Sequence, residues 1–182
     1  MQNRFYMSIV AASFATCGLA SAADYDESID GDLGNQTSGP TFFDVGIGTN
    51  SVSGTVGGAD FEDFIAFTID AGEQLTAVTL TSFTPANGNT STGFRLYTDQ
   101  GAGFFQASAG LFGTGDVGTN YLDTWDLSDV GGSAPLGPGT YGVLLAEFTD
   151  GQAYSFDLTV VPAPASIAMF GLGGLAFARR RR

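Results

Sequence analysis

Between residues 24 and 161, apolar and polar residues alternate in short runs, and glycine-rich turns separate these runs. In the run 64–69, residues 65, 67 and 69 share one face of a strand, and the run 154–160 alternates in the same way. No stretch repeats apolar residues with the i, i+3, i+4 spacing over the length of a helix. The pattern predicts an all-β fold, with a single β-sandwich or jelly-roll domain over residues 40–161.

Further strands are predicted from the same alternation and from the turn residues between the runs. They cover residues 51–56, 74–80, 93–98, 121–127 and 141–148. Most of the 16 phenylalanines and Trp125 are expected to fill the core between two sheets. The segment 113–118, GTGDVG, matches the dinucleotide-binding fingerprint, but no helical pattern follows it. We therefore interpret it as an ordinary glycine-rich loop.

The charged residues exclude several classes of function. The chain contains no histidine and no lysine, which excludes His-based nucleophile systems, His-containing zinc sites and lysine Schiff bases. Its formal net charge of −13 argues against nucleic acid as a partner. Arg95 is the single cation between residues 24 and 161, where all 19 acidic residues lie, so this interval has a formal net charge of −18.

Residues 1–23 have the pattern of a secretory signal peptide. Arg4 precedes an apolar run at 5–20, and small residues follow at 20–23. The run is short and interrupted by Ser and Thr, which favours a cleaved signal helix over a transmembrane anchor. Its removal would also remove Cys17 and leave an acidic N-terminal segment at residues 24–39 ahead of the sandwich.

The C-terminal tail, residues 162–182, combines a Pro-x-Pro motif, an apolar stretch at 165–178 and a cluster of arginines. At about 1.5 Å per residue, a helix over this stretch spans about 21 Å, short of the roughly 30 Å hydrocarbon core of a bilayer. The arginines would keep the end of the tail in the cytoplasm. The alternative is an ordinary C-terminal anchor.

This tail resembles the PEP-CTERM sorting signal of Gram-negative bacteria. The matching residues are Val161, Pro162, Ala163 and Pro164, followed after the apolar helix by Arg179, Arg180, Arg181 and Arg182. Ala163 stands where that family has Glu. The resemblance implies transient insertion into the inner membrane through the C-terminal helix, processing by an exosortase-type membrane transpeptidase, and delivery to the cell surface or extracellular matrix.

The body of the chain resembles the pre-peptidase C-terminal (PPC-like) β-sandwich. The resemblance rests on the segments 51–60 and 63–75. They are similar to the family's Gly-x-Val/Ile-x-Gly stretch, which leads from an acidic turn into a core strand with the pattern Asp-x-Phe-x-Phe-x-Val. The segments 136–143 and 153–158 are similar to the family's closing strands. Such domains are non-catalytic accessories of secreted proteins, and some bind calcium. The resemblance therefore implies a domain that is not an enzyme.

Two acidic clusters, at 24–32 and 60–63, could supply the oxygen ligands that calcium requires. The PPC-like resemblance implies ligands from an acidic N-terminal segment and from an acidic pair before the core strand. The candidate calcium ligands are Asp26, Glu27, Asp30, Asp60 and Asp63. The alternative is a solvated acidic tail and an ordinary turn. No other cofactor is expected.

The sequence thus predicts a non-enzymatic, exported protein with a structural or adhesive role. Divalent cations could link it to acidic extracellular polysaccharide. An alternative is a carbohydrate-binding module that presents exposed aromatic rings, with Tyr97, Tyr121 or Trp125 as candidates. A third is a glycoside hydrolase that uses paired carboxylates such as Asp123 and Asp126 beside Trp125.

Overall fold

The computed structural model describes residues 22–36, 38–86, 90–130, 132–147 and 151–164. The predicted signal helix, the predicted C-terminal helix and the arginines at 179–182 lie outside the described residues. Within the described ranges, no helix combines the length and the apolar character needed to cross a bilayer.

Strands form most of the regular structure. The nine strands of the described residues are β1 (Asp24–Asp26), β2 (Thr41–Phe42), β3 (Gly48–Val56), β4 (Glu62–Ile69), β5 (Glu73–Thr84), β6 (Ser91–Asp99), β7 (Phe104–Gly113), β8 (Gly139–Ala146) and β9 (Gln152–Pro162). The short helix α1 (Glu27–Asp30) follows β1, and 3-10 turns lie at Thr114–Asp116, Tyr121–Asp123 and Ser128–Val130.

The strands form two sheets, which confirms the predicted all-β sandwich. One sheet has the order β1-β3-β9-β5, and the other has the order β2-β4-β8-β6-β7. The short strands β1 and β2 run parallel to their neighbours, whereas all the longer pairs are antiparallel. The β3–β9 ladder pairs Gly54 with Tyr154, and the β4–β8 ladder pairs Asp63 with Leu145.

The core lies between the two sheets and is rich in aromatic rings. Phe94 on β6 lies with its ring centroid 5.2 Å from that of Phe112, 4.9 Å from Tyr121 and 5.1 Å from Trp125. Phe156 on β9 contacts it from the opposite sheet at 5.8 Å. These rings are buried, as the sequence predicted for most of the large apolar residues.

The strand predictions differ from the structure most at residues 121–127 and 104–113. Residues 121–127 do not form a strand, because the Asn120 side chain accepts from the Leu122 amide and begins a 3-10 turn. The strand β7 was not predicted, since its sequence, FFQASAGLFG, alternates only in part and contains a register shift opposite Leu96 and Tyr97.

The acidic N-terminal segment joins the sandwich instead of preceding it as a free tail. β1 pairs with β3 through residues 24–26, and the Ala23 amide donates to the side chain of buried Asn50. This pairing brings the carboxylates that follow β1 to one edge of the four-stranded sheet.

Candidate metal site

Local structure at residues 24–32 positions the first half of an acidic cluster. The Asp26 side chain accepts from the Ser28 amide and caps α1, so its carboxylate is used locally. The next residue, Glu27, projects toward β3, where its Oε2 accepts from the Thr55 amide at 2.6 Å and from the Thr55 hydroxyl at 3.2 Å. The chain then turns at Gly31 and reaches Asp32.

The second half comes from the connection between β3 and β4. Asp60 lies in this connection, and Asp63 is the second residue of β4. Carboxylate oxygens of Glu27, Asp32, Asp60 and Asp63 all lie within 4.8 Å of one another. We call these four residues the carboxylate cluster. It unites two segments that are about thirty residues apart in the sequence.

Asp63 is the buried member of the cluster. Its side chain is fully buried, and its Oδ2 accepts a hydrogen bond of 2.9 Å from the Tyr154 hydroxyl on β9. Its Oδ1 is buried and has no hydrogen-bond partner among the described residues. A buried, ionised carboxylate oxygen without a partner is costly. A proton removes the charge, and a bound cation would in addition supply the missing partner.

The electrostatics of the cluster follow from burial and from the neighbouring carboxylates. Burial raises the pKa of Asp63 to about 8, and the charges of Glu27, Asp60 and Asp32 add to the shift against the hydrogen bond from Tyr154. Burial also raises the pKa values of Glu27 and Asp60, and proximity to Asp32 raises both further. The cluster therefore favours a bound positive charge.

The protein itself offers little positive charge to the cluster. Arg95 is the single cationic side chain of the described residues, and it lies on β6, two strands from β4 in the five-stranded sheet. Four neighbouring carboxylates with no basic partner in the described part of the chain resemble a cation site more than an ion-pair network.

An open cavity of about 490 Å³ lies beside the cluster and gives access from solvent. Glu27, Asp32, Asp60 and Tyr154 line it, together with Gly54. A Cβ atom on Gly54 would lie 2.7 Å from the Tyr154 hydroxyl and 2.9 Å from Oε2 of Glu27. Glycine at this position therefore leaves room for the two side chains.

The donor set fits a hard cation with oxygen ligands. Calcium binds oxygens at about 2.3–2.6 Å, so two oxygens on one ion are separated by at most about 5 Å. The 4.8 Å spread of the cluster is within this limit. Magnesium, with ligands at about 2.0–2.1 Å, would require a tighter arrangement. The open cavity leaves space for the waters that would complete a calcium shell.

The structure brings together three of the five residues that the sequence suggested as calcium ligands. Glu27, Asp60 and Asp63 belong to the cluster. Asp26 lines the cavity while capping α1, and Asp30 accepts from the Asp26 amide through its Oδ2 at 2.8 Å. Neither Asp26 nor Asp30 belongs to the cluster. Asp32, which sequence reasoning had not selected, takes its place there.

The aromatic residues suggested as a carbohydrate platform are buried, so this part of the sequence interpretation was wrong. Tyr97 is 7% exposed, Tyr121 is 4% exposed and Trp125 is 8% exposed. Tyr121 and Trp125 pack in the core against Phe94. Tyr97 on β6 packs against Phe64 on β4 within the five-stranded sheet. These three residues therefore do not form the exposed platform that the interpretation required.

The acidic residues beside Trp125 serve the local turns. Asp126 accepts from the Ser128 amide, which lowers the pKa of its carboxyl. Asp123 accepts from the Asn120 side-chain amide at 3.0 Å. Their positions are explained by backbone and side-chain hydrogen bonds within residues 120–128.

Comparison with known proteins gives a sequence match at the C-terminus. Residues 160–182 match the family model of the PEP-CTERM protein-sorting motif, so the chain carries this motif, as the sequence resemblance predicted. No curated protein matches the chain. The motif indicates an exported protein that is sorted to the cell surface or beyond.

Among solved structures, the chain is similar to the pre-peptidase C-terminal domain of collagenase from Bacillus anthracis. The two are 17% identical, with a TM-score of 0.33 over 66% of this chain and 95% of that one.

Proposed function

We propose that this chain is a non-enzymatic protein of the cell surface or extracellular matrix, exported through its sorting motif, processed by an exosortase-type membrane transpeptidase, and stabilised by calcium at the carboxylate cluster. The PEP-CTERM motif at 160–182 supports the route of export. The observation that carries the calcium proposal is the buried, unpartnered Oδ1 of Asp63 within a cluster of four carboxylates.

A calcium ion would link two segments of the fold. Glu27 and Asp32 come from the segment after β1, whereas Asp60 and Asp63 come from the entry to β4. The hydrogen bonds of Glu27 to Thr55 attach the first segment to β3. An ion held by both segments would fix the N-terminal segment on the sandwich and neutralise charge that otherwise opposes their contact.

The surface of the protein suits a structural or adhesive role in an anionic matrix. Outside the cluster, the described residues include many exposed carboxylates and one arginine, Arg95. Such a surface repels acidic polysaccharide in the absence of divalent cations and can be bridged to it by calcium. Acidic extracellular polysaccharide is therefore the partner that we propose.

A cell-fractionation experiment tests this function. Cells that export the protein are washed with buffer containing millimolar calcium or with a chelator, and the amount retained at the surface is measured. We expect retention in calcium and release by the chelator. Equal retention in both washes would contradict a calcium-linked association.

The Asp63→Asn variant separates the two uses of calcium in this experiment. If the cluster supports adhesion by holding the fold together, the variant should be retained less than the parent protein in calcium. A purified sample mixed with an acidic polysaccharide gel, with and without calcium, tests the bridging directly, and unchanged binding in the chelator would oppose it.

A further inference from the structure

The sorting motif begins inside the folded sandwich. The last residues of β9 pair with the first residues of β5, Val161 with Gln74 and Pro162 with Glu73. Beyond the strand, the Ala163 amide donates to the Gly72 carbonyl at 2.7 Å. Three of the four residues of the Val-Pro-Ala-Pro motif are thus held against the edge of a sheet.

The attachment is one-sided at this end of β9. On the other flank, β3 begins at Gly48, which pairs with Val160. Among the described residues, those after Val160 therefore have a strand neighbour on the β5 side alone. Pro162 has no amide hydrogen to donate. Because the end of β9 pairs with one strand, β5, it accommodates this proline without the loss of a hydrogen bond of the sheet. The end of β9 is therefore paired, but it can detach without opening the rest of the strand.

The spacing leaves little free chain between the sandwich and the apolar stretch. Two residues, Ala163 and Pro164, separate the end of β9 from the apolar stretch that begins at residue 165. At no more than about 3.6 Å per residue, they span roughly 7 Å. An enzyme that cleaves near Pro162–Pro164 must bind this same backbone. In the folded sandwich, however, the Ala163 amide already donates its hydrogen bond to the Gly72 carbonyl.

We propose that the folded sandwich sequesters the first residues of the sorting motif, so that processing requires the end of β9 to detach from β5. This inference rests on the proposed processing by an exosortase-type enzyme. When opening and closing are fast relative to cleavage, the rate of cleavage follows the population of the open form. The pairing of Val161 and Ala163 with the start of β5 then sets how rapidly the folded protein is processed.

Amide hydrogen exchange tests the sequestration without any processing enzyme. The full chain is purified in detergent micelles, and the exchange of the Ala163 amide is followed by NMR. We expect it to exchange at least about tenfold more slowly than an unstructured amide of the same sequence. Exchange at the unstructured rate would overturn the sequestration.

An insertion tests the consequence for processing in cells. Six residues, Gly-Ser-Gly-Ser-Gly-Ser, are placed between Val160 and Val161, which keeps the motif intact and moves it away from β5. As a matched control, the same six residues are placed between Gly101 and Ala102, in the exposed turn between β6 and β7. The rate at which the full-length chain is converted to the processed form is measured by pulse-chase.

We expect the insertion after Val160 to accelerate conversion several-fold and the insertion after Gly101 to leave it near the rate of the parent chain. Equal rates in the parent chain and in the chain with the insertion after Val160 would overturn the proposal. If no chain were processed in cells that contain an active exosortase, the proposed sorting would be wrong. The proposal that detachment of β9 from β5 limits the rate of processing would then be wrong as well. The exchange of the Ala163 amide reports on the sequestration separately.

Discussion

The Tyr154 hydroxyl, on β9 of the four-stranded sheet, donates a hydrogen bond of 2.9 Å to Oδ2 of Asp63, on β4 of the five-stranded sheet. The bond links the two layers of the sandwich at the base of the carboxylate cluster. Burial and the charge of Asp63 raise the pKa of Tyr154 well above its usual value, so the phenol remains a donor throughout the physiological range.

Replacement of this donor should weaken the fold. The Tyr154→Phe variant removes the only hydrogen bond to the Asp63 carboxylate that the described residues show, and we expect the free energy of unfolding to fall by about 1–3 kcal/mol. Urea unfolding of the metal-free protein measures this change. Tyr141→Phe is the matched control, because its hydroxyl donates to the Gly137 carbonyl away from the cluster. A loss no greater than that of the control would contradict the role given to Tyr154.

Asp63 should make the stability of the metal-free protein dependent on pH. The pKa of its carboxyl is about 8 in the folded state and about 3.9 in an unfolded chain. Between these values the folded carboxyl holds a proton that the unfolded one has released. The free energy of unfolding should therefore fall, by an amount on the order of a few kcal/mol, as the pH rises from about 4 to about 8.

The Asp63→Asn variant checks the origin of this dependence. The amide cannot ionise, so we expect the metal-free variant to lose much less stability than the parent protein over the same pH range. At pH 8 it should be the more stable of the two in the absence of calcium. Parallel pH profiles of the two proteins, measured by thermal unfolding, would assign the dependence to other groups.

Gly54 should be required for the geometry of the cluster. In the Gly54→Ala variant, the new methyl group would displace Glu27 or the Tyr154 hydroxyl, which lie within 3 Å of its position. We expect a loss of about 1–3 kcal/mol in stability and weaker calcium binding. Gly115→Ala is the control, because no atom lies within 4 Å of its added Cβ. Calcium affinity equal to that of the control would show that the cluster does not depend on Gly54.

Asp32 and Asp30 should differ in their contribution to calcium binding, although they are two residues apart. Asp32 belongs to the carboxylate cluster, whereas Asp30 accepts from the Asp26 amide. We expect Asp32→Asn to weaken calcium binding roughly tenfold or more and Asp30→Asn to change it little. Titration calorimetry on the two variants measures the difference. Equal losses would indicate general attraction by the acidic segment in place of a defined site.

Alternation of residues predicted the central strands, and the tail motif predicted the route of export, because both signals are local in sequence. Membership of the cluster is not local. Asp30 and Asp32 are each one residue away from the turn at Gly31, so the sequence alone does not distinguish them as ligands. The parallel pairing of β1 with β3, followed by this turn, places Asp32 and not Asp30 in the cluster. The turn nucleated by Asn120 likewise depends on its contacts with β5, where its side chain accepts from the Val78 amide.

Titration of the purified, metal-free protein with calcium at pH 7.5, by isothermal calorimetry, is the direct test of a calcium site at the carboxylate cluster. We expect saturable binding of one calcium ion for each chain, and we expect Asp63→Asn to abolish it. We also expect proton release on binding, because calcium displaces the proton that the metal-free Asp63 holds. An absence of saturable binding, or binding that Asp63→Asn leaves unchanged, would contradict a calcium site at this cluster.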